Sequence, residues 1–380
     1  MRKIVFTISI LFLISGSVYS QALDKDLESF TSKHHVPTSV SDFTPVFYLP
    51  PINQDTTLVC WSFATTSYVE SEMKRLGLES VRLSVMYPVY YVFIEKAKRF
   101  VKTHGDSRFA PGDLFTGVWN TIQKYGIVPM DVYRGQAMYC PTFNQDPLYT
   151  ELSRYMAKVK AESLWNEDTV VQQVKEILNK NLGEPPQQFT YNGKSFTPMT
   201  FLHEIVRLPW NDYIKVTSFM YAPFYTFTQL RVPDNWAHDS SYFNVPLDMF
   251  YKSIKEAIQH GYSVAFDADI SEPSYEVEKG IGIIPPYDIP LNAINQESRE
   301  FRFENGTTTD DHLMQAVGYK NIDGDGWFLI KDSWRTAWEG NHKGYSLFHE
   351  SYMKLKALAF LVNINAVPEI RDLVMHKRAE

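Results

Sequence analysis

The chain has 380 residues, of which 44% are hydrophobic and 15% aromatic, and its formal net charge at pH 7 is −7. This length and composition allow one large core or two lobes and exclude a disordered or low-complexity protein. The acidic balance, with no basic run longer than residues 376–378, argues against nucleic-acid binding through a basic surface.

The first twenty residues have the pattern of a secretory signal peptide. Arg2 and Lys3 precede an apolar run over residues 4–14, and the segment ends at Ser20. We therefore predict cleavage before Gln21 and an exported protein, either secreted or periplasmic. The apolar run is too short to hold the chain stably in a bilayer, so no membrane anchor is expected.

Residues 53–64 form a polar loop that leads into a predicted amphipathic helix, with Cys60 at the junction. Small and apolar residues recur at spacings of three and four as far as Leu76, and Gly77 marks the end of the helix. The start of a helix has free N–H groups and a partial positive charge, which favour a thiolate and can hold an oxyanion. Gln54, six residues upstream, offers a second oxyanion donor. The pattern predicts that Cys60 is a nucleophile.

The chain contains two cysteines, Cys60 and Cys140. Export permits disulfides, so a structural disulfide between them is the alternative to a reactive thiol. The helix-start position of Cys60 favours the reactive thiol.

The remaining predicted elements divide the chain into a helical first part and a β-rich last part. Further helices are predicted over residues 83–97, 115–125, 152–165, 170–178, 201–206 and 247–258. Strands are predicted over residues 262–266, 313–319, 327–331, 344–348 and 357–362. After the signal peptide (1–20) we predict a helical lobe (21–135), a helical insertion (136–215), a β-rich lobe (216–365) and a C-terminal tail (366–380).

A cysteine nucleophile needs a base and a residue that orients this base. His312 opens one predicted strand, and Asp332 ends the next strand, across the turn at residues 321–326. Adjacent strands would let Asp332 accept a hydrogen bond from one imidazole nitrogen while the other nitrogen faces Cys60, with Trp334 shielding the bond from water. A purely structural histidine is the alternative. The acidic turn lacks the ligand spacing and closing Glu of a calcium loop, so we predict a hairpin there and not a calcium site.

Several segments resemble papain-type cysteine peptidases, and specifically the bleomycin hydrolase and aminopeptidase C family. The catalytic segments that carry the resemblance are Gln54, residues 60–64, 312–319 and 331–334. Other segments similar to that family are residues 83–97, 124–129, 182–190 and 342–345. The resemblance covers about residues 50–370, and the family's helical insertions account for the long interval between Cys60 and His312.

The resemblance implies an α+β, papain-like two-lobed fold with the cleft between the lobes. It also implies a Cys60–His312 pair that attacks a peptide carbonyl, with Gln54 and the Cys60 backbone N–H as the oxyanion hole. The substrate would be a peptide, no metal or organic cofactor would be needed, and a homo-oligomer such as the family's rings of six stays open.

Three departures from the family bear on the mechanism and on specificity. Asp332 stands where the family has Asn, and Gly112-Asp113 stands where Gly-Gly is expected in the substrate-binding strand. The chain also ends soon after residue 370, whereas a longer tail enters the cleft in the aminopeptidases. We hypothesise that Asp113 binds a substrate ammonium group; the alternative is a solvated loop acid.

The sequence leaves several activities open on this scaffold. Aminopeptidase-like hydrolysis is the first choice. An endopeptidase with an open cleft, a transpeptidase or amidase, and an inactive peptide-binding homologue are the alternatives.

Overall fold

The computed structural model describes residues 30, 32–136, 142–271, 275–276 and 279–379. The predicted signal peptide and Cys140 lie outside the described residues. The helices are α1 (Cys60–Arg75), α2 (Met86–Lys102), α3 (Phe115–Tyr125), α4 (Asp146–Ala161), α5 (Glu167–Leu182), α6 (Pro198–Phe201), α7 (Leu247–Gln259), α8 (Gln296–Glu304), α9 (Arg335–Glu339), α10 (Glu350–Lys356) and α11 (Pro368–Ala379). A π-helical turn (Leu202–Val206) continues α6.

The strands are mostly short and lie in the second half of the chain. They are β1 (Phe189–Tyr191), β2 (Lys194–Phe196), β3 (Tyr213–Thr217), β4 (Thr226–Thr228), β5 (Tyr242–Asn244), β6 (Val264–Ala268), β7 (Tyr275–Glu276), β8 (Ile281–Gly282), β9 (His312–Ile322), β10 (Asp325–Lys331), β11 (Tyr345–His349) and β12 (Ala357–Asn363). In the described part of the chain, β1 and β2 form a separate hairpin and the others form one sheet in the order β4-β5-β3-β12-β6-β9-β10-β11-β8-β7.

Helix α1 lies at the centre of the fold, and every side chain from Cys60 to Met73 is buried. Many of these side chains are hydroxyls; most find an acceptor, whereas the buried Thr65 hydroxyl has no hydrogen-bond partner among the described residues. The Ser62 hydroxyl donates to the Val85 carbonyl at 2.5 Å, and the Thr66 hydroxyl donates to the Ser62 carbonyl at 2.6 Å. The helix is therefore clamped between α2, α3 and the sheet without exposing a polar face.

The sheet separates two apolar cores because its side chains alternate between the two faces. Ala265, Leu313 and Ala359 belong to the core shared with the helical lobe. Phe266 and Met314 point to the other face, into the core beneath α7 and α11. One face of β6 and β9 is thus directed at the helix that begins with Cys60.

Strands β9 and β10 form the hairpin that the sequence predicts. Ile322 pairs with Asp325, so the turn consists of Asp323 and Gly324. Both turn residues have positive φ, 53° and 103°, as tight two-residue hairpins require. The strands are antiparallel and Lys331 pairs with Gln315, so the end of β10 lies beside the start of β9.

The structure differs from the sequence prediction mainly in its short elements. The β1–β2 hairpin lies within the segment predicted as helical, and strands β3 and β5 lie where no strand is predicted. The described part of the predicted C-terminal tail forms α11, with Ile370 and Val374 buried in the core under the sheet. None of the described helices is long and apolar enough to cross a membrane.

Candidate active site

Cys60 occupies the first position of α1, with a free thiol and a relative exposure of 8%. The residue before it, Val59, has no side chain that can cap the helix. The Ser62 N–H donates to the Val59 carbonyl at 2.9 Å. The Cys60 N–H, at the first position, has no carbonyl one turn earlier in the helix to bond, so it stays available to an anion beside the thiol.

The structure brings His312 and Asp332 together at the adjoining ends of β9 and β10. The His312 Nε2 lies 2.7 Å from the Asp332 Oδ1, and both side chains are buried. The same oxygen accepts a hydrogen bond of 2.8 Å from the Trp334 backbone N–H. The carboxylate therefore holds one imidazole nitrogen in a fixed direction, as an orienting residue must.

The other ring nitrogen of His312, Nδ1, has no nitrogen or oxygen partner among the described residues. It lies on the side of the ring away from Asp332, and the Cys60 side chain is close enough to the ring to raise its pKa. Burial lowers the pKa of His312, but the charges and hydrogen bonds of Asp332 and Cys60 outweigh burial and raise it to about 10. At neutral pH the imidazole is therefore protonated, which is the state that pairs with a thiolate.

Trp334 packs edge to face against the imidazole, with the ring centroids 5.6 Å apart and the planes inclined by 68°. The indole therefore covers the His312 ring. The backbone N–H of Trp334 also donates to Asp332, the hydrogen-bond partner of His312. A covered hydrogen bond exchanges less readily with water and is stronger in the low local dielectric.

Gln54 lies fully buried in the loop before α1 and is held by the segment that follows Asp332. The Ser333 hydroxyl donates to the Gln54 Oε1 at 2.7 Å, and the Gln54 backbone N–H donates to the Ser333 carbonyl at 2.8 Å. The Gln54 Nε2 donates one hydrogen to the Thr57 carbonyl at 2.8 Å. Its second hydrogen is left for another acceptor. One hydrogen-bonded unit thus joins the proposed oxyanion donor to the residue that orients the base.

Gly112 and Asp113 lie on the segment that precedes α3, and both are closely packed. The Lys96 ammonium group donates to the carbonyls of Gly112 and Ala110, the latter at 2.7 Å. The Asp113 Oδ1 accepts from the Leu114 N–H at 2.7 Å, and the Asp113 side chain is only 4% exposed. Asp113 is therefore not the solvated loop acid that the sequence allowed as an alternative.

Burial raises the pKa of Asp113 to about 6, although the Lys96 ammonium group works in the opposite direction. No described contact joins Asp113 to Cys60 or His312. Its role as an ammonium clamp stays a prediction.

A buried polar network lies behind the active site and joins α1 to both catalytic strands. The Lys331 ammonium group donates to the Ser67 hydroxyl at 2.5 Å, and this hydroxyl donates to the Gln315 side chain at 2.5 Å. Gln315 donates in turn to Ser71 and Ser263, at 2.9 Å each. Because Lys331 precedes Asp332 and Ser67 lies two turns after Cys60, the network sets the spacing between the thiol and its base.

This network encloses a charge that is expensive to bury. Burial lowers the pKa of Lys331 to about 7, and the nearby Glu70 only partly offsets this. Glu70 itself accepts from Arg82 at 3.2 Å and from the Leu83 N–H at 2.8 Å. A cavity of about 20 Å³ at this position, enough for about one water molecule, is lined by Glu70, Lys331 and Asp332.

Papain-like cysteine peptidases are built in this way, with the thiol on a helix and its histidine on a sheet packed against that helix. The α+β arrangement of the described chain agrees with this class. The chain belongs to the Peptidase C1-like family, whose model matches residues 31–379. It is therefore a cysteine-type peptidase, and the resemblance noted in the sequence is confirmed.

Individual relatives agree with this assignment. The chain is 24% identical to aminopeptidase C from Streptococcus thermophilus, over 79% of this chain and 77% of that protein. It is 22% identical to bleomycin hydrolase from Homo sapiens, over 84% of this chain and 81% of that protein. The crystal structure of PepW from Lactobacillus rhamnosis has a TM-score of 0.69 at 18% identity, over 95% of this chain and 92% of that one. The structural likeness shows the fold.

Sequence reasoning missed the residues that connect the site. Ser333 and Lys331 flank Asp332 in the same motif, so their position beside it was the available signal. Asp267, which also lies near Cys60, and its neighbour Asp310 belong to no motif, and only the pairing of β6 with β9 brings Asp267 to the site.

Proposed function

We propose that the protein is an exported cysteine peptidase that removes N-terminal residues from peptides through an acyl-thioester on Cys60. The observation that carries the proposal is the position of His312, with one nitrogen bonded to Asp332 and the other facing Cys60. A protonated imidazole in this position stabilises a thiolate and can give its proton to a leaving amine.

The reaction has two stages. The Cys60 thiolate attacks the scissile carbonyl carbon, and the oxyanion is held by the Cys60 backbone N–H and the free hydrogen of the Gln54 amide. His312 gives its Nδ1 proton to the amine as the C–N bond breaks, which leaves an acyl-thioester. The neutral imidazole then takes a proton from water, whose hydroxyl attacks the thioester; the acid is released and the thiolate–imidazolium pair is restored.

The relatives named aminopeptidase C support action at the amino terminus of the substrate. In such an enzyme the substrate's α-amino group lies two bonds from the attacked carbon. Counter-charges close to Cys60 are therefore the feature that an aminopeptidase needs and an endopeptidase does not. The carboxyl groups near Cys60 favour the aminopeptidase over the endopeptidase alternative.

The mechanism is tested by labelling the protein with an epoxide inhibitor of papain-like enzymes and mapping the adduct by mass spectrometry. We expect one adduct at Cys60, and we expect Cys60→Ala to abolish both labelling and peptide turnover without lowering the thermal unfolding midpoint. An adduct at Cys140, or no adduct at all, would contradict the mechanism.

Cleavage at the amino terminus of the substrate is tested with paired fluorogenic peptides. One member of each pair carries a free α-amino group, and the other carries an acetylated one. An aminopeptidase cleaves the free amine preferentially, whereas equal turnover of both would remove this assignment. Export is tested separately by expressing the full chain and sequencing the amino terminus of the mature protein. We expect it to begin at Gln21 outside the cytoplasm; an intact Met1 in the cytoplasm would refute export.

A further inference from the structure

Three carboxyl groups, those of Asp234, Asp267 and Asp310, lie together, with Asp267 also close to Cys60, and they have no part in the mechanism above. We call them the acidic cluster. Asp267 is fully buried, and neither of its oxygens has a hydrogen-bond donor among the described residues. The Asp310 Oδ2 also lacks a donor there, and the Asp310 carboxyl group lies within hydrogen-bonding range of the Asp267 carboxyl group.

The sheet directs Asp267 toward the nucleophile. Asp267 lies opposite Leu313 on β9, and the next residue, Ala268, lies opposite His312. Ala265 and Leu313 both face the core of the helical lobe. Asp267 is two residues after Ala265 on the same strand, so its side chain leaves the sheet on the same face, toward α1.

The charges of Asp267 and Asp310 are not compensated by an ion pair among the described residues. Burial raises the pKa of Asp267 well above its ordinary value, and the charges of Asp310, Cys60 and Asp234 raise it further. Burial and the nearby Asp234 likewise raise the pKa of Asp310 to about 8. Carboxyl groups raise one another's pKa in this way when they are held together without a cation.

Asp269, one residue beyond the end of β6, shows how this protein ordinarily buries a carboxylate. Asp269 has an ammonium partner, the Lys356 Nζ, at 3.3 Å, and it also accepts from the Ser271 hydroxyl at 3.0 Å. Asp234 has the Arg108 guanidinium at 3.6 Å. Among the described residues, no ion pair of this kind is found for Asp267 or Asp310. A buried carboxylate is normally paired.

The cluster has an approach from outside and a closed far side. A cavity of about 380 Å³ reaches Asp310 and is also lined by Thr309, Phe303 and by Arg231, which stacks on Tyr221. On the other side, Asp234 packs so closely on Gly112 that a Cβ there would lie 1.9 Å from the Asp234 Oδ2. A substrate group can therefore reach Asp310 through this cavity, whereas the Asp234 side chain fills the space beside Gly112.

We propose that Asp267 and Asp310 bind an ammonium group of the peptide substrate beside the scissile bond. The ammonium group restores the charge balance of the pair and supplies the donors that both carboxyl groups lack. This inference rests on the proposed peptidase function and defines which peptides it accepts. Two groups of a peptide substrate provide such an ammonium group: the free α-amino group of the N-terminal residue, and a lysine side chain adjacent to the cleaved residue.

The test compares Asp267→Asn and Asp310→Asn with the parent enzyme on two pairs of fluorogenic substrates. Leucyl-aminomethylcoumarin is paired with its des-amino analogue, and acetyl-lysyl-leucyl-aminomethylcoumarin with the norleucyl analogue. At about pH 6 the amino groups are protonated. Asn keeps the shape of Asp and removes the charge. Asp131→Asn, which neutralises an exposed acid away from the cluster, is the matched control.

We expect each variant to lose roughly tenfold or more in kcat/KM on the charged member of a pair, as loss of a charged hydrogen bond predicts. The neutral member and the control variant should change by less than about threefold. Loss on the free-amine substrate assigns the site to the α-amino group, and loss on the lysyl substrate assigns it to the side chain. Equal changes on charged and neutral members, or no change, would overturn the proposal.

Alkylation of Cys60 by iodoacetamide, a neutral reagent, separates this inference from the peptidase function. A variant that is alkylated at least as fast as the parent has an intact nucleophile, so its lost turnover belongs to the ammonium site. If Asp267→Asn does not fold, Asp310→Asn, at the more accessible edge of the cluster, carries the test. A parent enzyme with no turnover on any peptide would refute the proposed function instead.

Discussion

Replacement of Asp332 by Asn should lower the pKa of His312 without displacing the ring. The Asp332 Oδ1 accepts both the His312 Nε2–H at 2.7 Å and the Trp334 N–H at 2.8 Å, and an amide oxygen has lone pairs for both. The Asp332 Oδ2 has no hydrogen-bond partner among the described residues, so the amide NH₂ replaces an atom that makes no bond. The variant therefore keeps the geometry and removes one negative charge.

The size of the effect follows from the charges around His312. Burial lowers its pKa, and the Asp332 carboxylate is the largest of the effects that raise it to about 10. An opposite charge at this range shifts a pKa by about 1 to 3 units, and each unit corresponds to about 1.36 kcal/mol. Without this charge the ring loses its proton at lower pH. The basic limb of the kcat/KM profile should therefore move to lower pH by about 1 to 3 units.

The assay measures kcat/KM against pH for parent and variant with the same free-amine peptide, so titration of the substrate affects both profiles equally. Thermal unfolding confirms that the variant is folded. Asp332→Ala removes both hydrogen bonds as well as the charge, and should lose about a hundredfold or more in kcat because the ring is no longer oriented. A basic limb that stays in place or moves to higher pH in Asp332→Asn would refute the electrostatic reasoning.

Three further changes test the surroundings of the site. Gln54→Ala should lower kcat by about 10²-fold or more with little change in KM, because it removes a donor that acts on the oxyanion. Gly112→Ala should destabilise the fold by about 1 to 3 kcal/mol in denaturant unfolding, since its Cβ would overlap the Asp234 carboxylate. Lys331→Met should cost about 1 to 3 kcal/mol, because the Ser67 hydroxyl loses its donor in a buried network.

Each of these predictions has a control. A rise in KM with unchanged kcat in Gln54→Ala would show that Gln54 binds substrate and not the oxyanion. The double variant Gly112→Ala with Asp234→Ala should recover most of the lost stability, and additive losses would show that the overlap is not the cause. A Lys331→Met variant as stable as the parent would mean that the buried ammonium group costs as much as its hydrogen bond contributes.

Helices with a clear hydrophobic periodicity and a glycine at the C-terminal end are predictable from the sequence. Residues 115–125 are predicted as a helix, and α3 has these bounds. Gly126, at φ 82°, ends the helix. A Cβ at this position would lie 2.3 Å from the Pro198 backbone, so only glycine fits there. The β1–β2 hairpin was missed although Asn192 and Gly193 are its turn, with φ of 47° and 76°. An Asn-Gly pair between short aromatic strands is the signal that identifies it.

Strands β3 and β5 could not be predicted from local pattern. They have five and three residues, and they pair with each other in parallel. Their stability comes from these partners and from the core between the sheet and the helices, so no periodicity within the segment marks them. Asp113 illustrates the same limit, because its burial depends on Lys96 and Trp236, which are distant in sequence.

The sequence by itself determined which residue types meet at the active site. Cys60 at a helix start, His312 at a strand start and Asp332 at the end of the next strand are marked by local features: a polar loop before a periodic helix, and two strands joined by a tight turn. These features depend on backbone geometry within a few residues, which neighbouring side chains specify directly.

Only the tertiary structure decided what surrounds that site. It joined Gln54 to Ser333, placed Lys331 and Ser67 in one buried network, and brought Asp267 close to both Asp310 and Cys60. These contacts span tens to hundreds of residues and arise because β6 and β9 turn one face toward α1. Burial and charge at a point in space depend on every element that packs there. For this reason, the charges that surround the substrate are a property of the fold and not of any single motif.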